Sequence, residues 1–136
     1  MPRVLIVDDS RTVRSQVIAA LTPAGFEVLE AQDGIEAMER IRSETGIGLI
    51  ILDLNMPRMG GLEFLETLRA SGLPRIRTVM LTIEARTDVI DKGKRAGAKG
   101  WLVKPFKPEQ LVAVARRLAI ADTLTATGTT FVFPGI

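Results

Sequence analysis

Five short apolar runs alternate with five segments of helical spacing along this chain, and that order limits its possible folds more than any other feature. The runs are VLIV (4–7), FEVLEA (26–31), GLIILDL (48–54), TVMLT (78–82) and GWLV (100–103). Four of them are nearly continuous and rich in β-branched residues, as strands covered on both faces are. FEVLEA instead alternates apolar and polar residues, which suits a strand near a sheet edge.

Between the runs, apolar residues recur every three or four positions. Val13, Val17 and Leu21 define a first helix that Ser10 can cap and that Pro23 and Gly25 end. Ile35, Met38 and Ile41 line a second, ending near Gly46, and Leu62, Leu65 and Leu68 a third, ended by ASG (70–72). RTDVIDKGKRAG (86–97) is the weakest helix, since Gly93 and sparse apolar content undercut it. The fifth starts at Pro108, where a missing N–H costs least, and carries Leu111, Ala115 and Leu118. Strand and helix in strict alternation predict an α/β doubly wound fold, a parallel sheet with helices on both faces. Ligands of such sheets bind in the crevice beyond the carboxyl ends of the strands.

At 136 residues the chain fits one domain, which buries roughly two-thirds of its unfolded surface on folding. Residues 1–120 hold the repeating pattern. The threonine-rich stretch 121–136 breaks it and reads as a C-terminal tail or the start of a linker. A net charge of +2, from 18 Lys and Arg against 16 Asp and Glu, gives no reason to expect nucleic acid as a direct partner. The chain has neither cysteine nor histidine, so thiolate chemistry, imidazole bases and His-based zinc sites are excluded. Its N-terminal apolar run is broken by two aspartates, too short for a signal peptide or a membrane span, which points to a cytoplasmic location.

Five polar residues fall where strands end: Asp8 and Asp9 after the first run, Asp53 in the third, Thr82 in the fourth and Lys104 after the fifth. Taken singly, each has an ordinary explanation as a helix cap, a turn residue or a solvated terminus. Together, at one rim of a parallel sheet, they place three carboxylates, a hydroxyl and an ammonium in one crevice. Clustered carboxylates repel unless protons or a cation compensate. With oxygen ligands alone available, Mg²⁺ is the fitting ion, and it leaves positions for phosphoryl oxygens. Lys104 and Thr82 suit other oxygens of the same group, so the site fits phosphoryl transfer to a carboxylate.

VDDS (7–10), LDLNMPRMGGLEFL (52–65), MLT (80–82) and WLVKPF (101–106), in this order, resemble the CheY-like receiver domain of two-component response regulators, from residue 3 to about 120. The resemblance implies a flavodoxin-like (βα)5 fold with a five-stranded sheet in the order 2-1-3-4-5. It also implies that Asp53 is the phosphoacceptor, taking a phosphoryl group from a sensor histidine kinase or a histidine phosphotransfer protein. Asp9 and Asp53 become direct Mg²⁺ ligands, Asp8 a ligand through water, and Asn55 a ligand through its backbone carbonyl. Lys104 pairs with the phosphoryl group, and the Lys104–Pro105 bond is cis.

In the resembled family, output is a shift between two conformations. Thr82 moves toward the phosphoryl group and the aromatic at position 101 turns inward. Most members carry Tyr or Phe there, and the larger Trp101 is expected to hinder full inward rotation. Ile83 stands where a small residue is commoner, and its bulk either narrows access to Asp53 or packs. Asn55 and Glu84 occupy the positions that tune phosphoryl lifetime, and this pair implies fast self-dephosphorylation.

The receiver is expected to be a signalling phosphoprotein that catalyses its own phosphorylation and dephosphorylation. It acts alone by docking on an output protein, in the manner of chemotaxis regulators, or belongs to a longer regulator. No DNA-binding domain is expected after residue 120, so direct transcription control is not expected of the chain as given. Three alternatives compete, the weakest being flavin binding, since the first strand leads into DDSRT (8–12) and not into a glycine-rich phosphate loop. A haloacid-dehalogenase-like phosphatase uses similar residues but places its nucleophile before its acid pair, and DD leads here. An interaction module with the receiver fold but no switch is the third.

Overall fold

The computed structural model describes residues 3–56, 58–73, 75–83, 86–119 and the backbone of 131–133. Strand and helix alternate as β1 (Arg3–Val7), α1 (Arg11–Leu21), β2 (Glu27–Ala31), α2 (Gly34–Ser43), β3 (Ile47–Asp53), α3 (Gly61–Ala70), β4 (Arg77–Thr82), α4 (Thr87–Arg95), β5 (Gly100–Val103) and α5 (Pro108–Ala119), with a short β6 (Phe131–Phe133). The strands pair in parallel in the order β2-β1-β3-β4-β5-β6. The five expected strands thus stand in flavodoxin-like order. β6 extends the sheet beyond β5 and pairs Gly100 with Phe131 and Leu102 with Phe133.

The continuous apolar runs make the centre of the sheet, because side chains of a strand alternate between faces and both faces here are covered. Val4, Ile6, Leu49, Ile51, Val79, Leu81 and Leu102 point toward Val17 and Leu21 of α1 and Leu111, Val114, Ala115 and Leu118 of α5. Their alternate neighbours Leu5, Val7, Ile50, Leu52, Met80 and Trp101 meet Met38 and Ile41 of α2 and Phe64, Leu65 and Leu68 of α3. Each such side chain, fully buried, contributes roughly 1.5–3 kcal/mol relative to exposure. Strand β2 lies at one edge with half-buried residues, in keeping with its alternating sequence.

Helix starts follow local chemistry. Ser10 accepts from the Val13 amide and Asp33 from the Glu36 amide, each satisfying a first-turn donor. One residue expected to face inward does not. Ile35, read as part of the inner stripe of α2, is 39% exposed, because Ala37, Met38 and Ile41 fill that face. Among the described residues no helix is long and apolar enough to cross a membrane.

Candidate functional site

Parallel pairing brings the carboxyl ends of β1, β3, β4 and β5 to one rim, and the polar residues follow. Asp8 is fully buried and Asp53 nearly so, whereas Asp9 is exposed. One oxygen from each of the three carboxylates can be chosen so that all lie within 4.8 Å of one another. Lys104 Nζ bridges the buried pair, donating to Asp8 Oδ2 at 3.0 Å and to Asp53 Oδ1 at 3.2 Å. The other Asp8 oxygen accepts from the Ser10 amide at 2.8 Å, which links the acid cluster to the start of α1. Backbone bonds fix the surrounding strand ends: Leu54 N–H donates to the Leu81 carbonyl and Lys104 N–H to that of Thr82. The Lys104–Pro105 peptide bond is cis.

Burial raises the Asp53 pKa above the ordinary carboxylate value, and the charge of Asp8 adds to the effect, while Lys104 opposes it. Burial by itself would lower the Lys104 ammonium. The hydrogen bond to Asp8 and the charges of Asp53 and Asp8 outweigh that and raise its pKa. One ammonium thus partly neutralises a pocket of three carboxylates, and the remaining negative charge suits a hard divalent cation. Oxygen donors alone, one of them open to solvent, fit Mg²⁺ and not a softer metal.

The profile of the response regulator receiver domain matches residues 4–116. The chain belongs to that family. It is 36% identical to the chemotaxis protein CheY1 of Helicobacter pylori strain J99 over 111 residues, covering 80% of this chain and 90% of the relative. It is 42% identical to the response regulator MprA of Mycobacterium ulcerans over 120 residues, which is 85% of this chain but 49% of that protein. The solved structure of Vibrio cholerae CheY4 is similar at a TM-score of 0.81 and 42% identity, covering 87% of this chain and 98% of that one. A putative response regulator from Chloroflexus aurantiacus reaches 0.81 at 31% identity, covering 89% and 100%.

In this receiver the loop after Asp53 is pinned on both sides. Gly61 opens α3 so close beneath it that a methyl group there would stand 2.6 Å from the Asp53 carbonyl oxygen. Arg58, with a left-handed φ of 63°, pairs with Asp33, its Nε donating at 2.7 Å. A left-handed conformation disfavours a residue with a side chain by roughly 1–2 kcal/mol, and the ion pair acts against that cost. Burial pushes the Asp33 carboxyl up, but hydrogen bonds from the Glu36 amide and from Arg58 outweigh it and hold its pKa below the usual value. Met59 fills the space over Gly34, where a side chain would collide with it. Sequence reading passed over this clamp. Its signals were the glycine pair at 60–61 and the glycine following Asp33, but the partners lie 25 residues apart.

Thr82 ends β4 and is 2% exposed. Asn55 lies in the exposed turn beyond β3. Glu84, expected to tune phosphoryl lifetime, lies outside the described residues. Ile83 is 72% exposed and packs into no core.

Trp101 lies in the core. Its indole is fully buried, and α4 makes the room: a methyl at Gly93 would overlap Cζ2 of the ring. The glycine that weakens α4 as a helix is the notch that admits the tryptophan. Its Nε1 is buried without a hydrogen-bond partner among the described residues.

Proposed function

We propose that this receiver takes a phosphoryl group onto Asp53 and relays the event through the β4–α4–β5 side of the domain. The observation that carries the reading is the Lys104 ammonium held between the buried carboxylates of Asp8 and Asp53. An Asp53 oxygen forms a bond to phosphorus as the P–N bond of a donor phosphohistidine breaks, and the bonding pair stays on the imidazole. Lys104 is placed to neutralise phosphoryl charge, and the Thr82 hydroxyl to donate to a further oxygen. Asp9 and Asp53 would hold Mg²⁺ directly, Asp8 through water and Asn55 through its carbonyl. A bound ion would offset the clustered negative charge and stabilise charge on a phosphoryl group.

The donor is a sensor histidine kinase or histidine phosphotransfer protein, and the phosphorylated face docks on an output protein. Similarity to chemotaxis proteins along nearly their whole length supports a stand-alone, cytoplasmic signalling role with the receiver unit in residues 1–120. Asn55 and Glu84 set the phosphoryl lifetime.

The test is intact mass after incubation with acetyl phosphate and Mg²⁺. One added phosphoryl group is expected, absent with chelator and in Asp53→Asn; an adduct that persists in Asp53→Asn assigns the acceptor elsewhere. The buried Trp101 favours a second reading, a receiver fold whose aromatic switch is already inward. Beryllofluoride separates the two: a change in Trp101 fluorescence supports switching, and an unchanged spectrum supports a fixed interaction module.

A further inference from the structure

The opposite rim of the sheet holds a cleft of about 800 Å³ between the C-terminal ends of α3 and α4, over the starts of β3 and β4. Leu65, Leu68, Ile47 and Ile76 give it an apolar lining. Arg69, Arg75, Lys94, Arg95 and Lys99 also line it, and no carboxylate does among the described residues. Arg77 contributes to the wall while its guanidinium reaches the Leu118 carbonyl.

Some of this charge has a structural reason. Arg69, Lys94 and Arg95 lie in the last turns of α3 and α4, where cations complement the helix dipoles, and Arg69 donates to the Arg95 carbonyl at 2.6 Å. Arg75 and Lys99 precede strands and cap no helix. The chain's net charge is only +2, so five cations around one cleft is a local concentration rather than a reflection of composition.

We propose that this cleft binds a nucleoside polyphosphate. Its volume falls in the range of small-molecule sites, roughly 300–1,000 Å³. The cations supply paired and single donors for phosphate oxygens, and the partly exposed Ile47 and Ile76, backed by buried Leu65 and Leu68, leave an apolar surface for a planar base and sugar. An extended acidic segment or a membrane surface would be matched by cations spread along a face, and here they converge on a concavity. The site is remote from Asp53 and stands independently of the phosphoacceptor reading.

Calorimetric titration of the full chain with ATP tests it, in EDTA so that metal-bridged binding at the acid cluster is removed. One ATP per chain is expected, with affinity falling about tenfold as salt rises from about 0.05 to 0.2 M. The triple variant Arg75→Glu, Lys94→Glu, Lys99→Glu should lose about a hundredfold in affinity, and Asp53→Asn none. Should the triple variant fail to fold, amide shifts of the wild type decide. ATP is expected to move residues 75–78 and 94–99 and to leave 53–55 and 104 in place. No binding at millimolar ATP, or shifts centred on Asp53, overturns the proposal. Inorganic tripolyphosphate binding as tightly as ATP removes the nucleoside from it. A poly-glutamate peptide binding more tightly than ATP replaces it with an acidic protein surface.

Discussion

Helices α2 and α4 lie on the same face of the sheet and are held in different ways. In α2, Asp33 caps the first turn, Arg58 pairs with that cap from the Asp53 loop, and Ala37, Met38 and Ile41 are buried. In α4, Arg86 occupies the cap position without a side-chain cap bond, and the one buried residue is Gly93. A glycine inside a helix costs about 1 kcal/mol relative to alanine. Helix α2 thus buttresses the loop that follows Asp53, while α4 rests on a notch around Trp101. Segments that move in signalling are drawn from the less stable parts of a fold, so the proposed relay through the β4–α4–β5 side predicts that α4 opens more readily than α2.

The broadest consequence is in hydrogen exchange. Amides of α4 should exchange about a hundredfold faster than those of α2, in line with the spread between local and global opening. Equal protection of the two helices would break the comparison outright.

The stiff side is tested at its cap. Asp33→Ala should lower the unfolding free energy by about 2 kcal/mol, since it removes the cap and leaves the strained Arg58 without its anion. Because the folded Asp33 pKa is depressed, its contribution is complete above the unfolded value of about 3.9 and is lost as pH falls through the folded one. The difference between wild type and variant in denaturant titrations should therefore be constant near neutrality and shrink below about pH 4. A difference that grows on acidification would mean that the cap acts as a neutral group.

Gly93 sharpens the contrast on the other side. Gly93→Ala gains helix propensity of about 1 kcal/mol but forces the indole to shift, at about 1–3 kcal/mol, so a net loss near 1 kcal/mol is expected. In a Trp101→Phe background the same substitution should become stabilising, because the smaller ring vacates the notch. A loss of equal size in both backgrounds would show that Gly93 is needed for something other than the tryptophan.

How well the chain could be read beforehand follows the same division. The strands and the doubly wound class were legible because continuous apolar runs and strict alternation are local signals, whereas the strand order followed only from the resemblance to receiver domains. Asp8, Asp9, Asp53, Thr82 and Lys104 were legible as one cluster because parallel strands carry their ends to one rim. The room for Trp101 was not legible because the residue that accommodates it sits eight positions earlier, on a helix whose glycine reads only as a weakness. The Arg58–Asp33 clamp and strand β6 depend on pairings between distant segments, which periodicity does not encode. The basic cleft likewise gathers residues from two helices and the loops before two strands.

The smallest effect is the most specific test of why α4 is loosely held. If its missing cap contributes, supplying one should tighten that helix alone. Arg86→Ser places a hydroxyl where the first-turn amides can donate to it, worth about 0.5–1 kcal/mol. It gives up the exposed ion pair between Arg86 and Asp88, which contributes little at such exposure. Exchange within α4 should slow about twofold to fivefold, with α2 unaffected and global stability nearly unchanged. The Trp101 fluorescence response to beryllofluoride should fall in step, because a better anchored α4 resists displacement around the ring. Slower exchange with an undiminished response would separate the looseness of α4 from switching, and leave the acid rim and β4 to carry the signal without it.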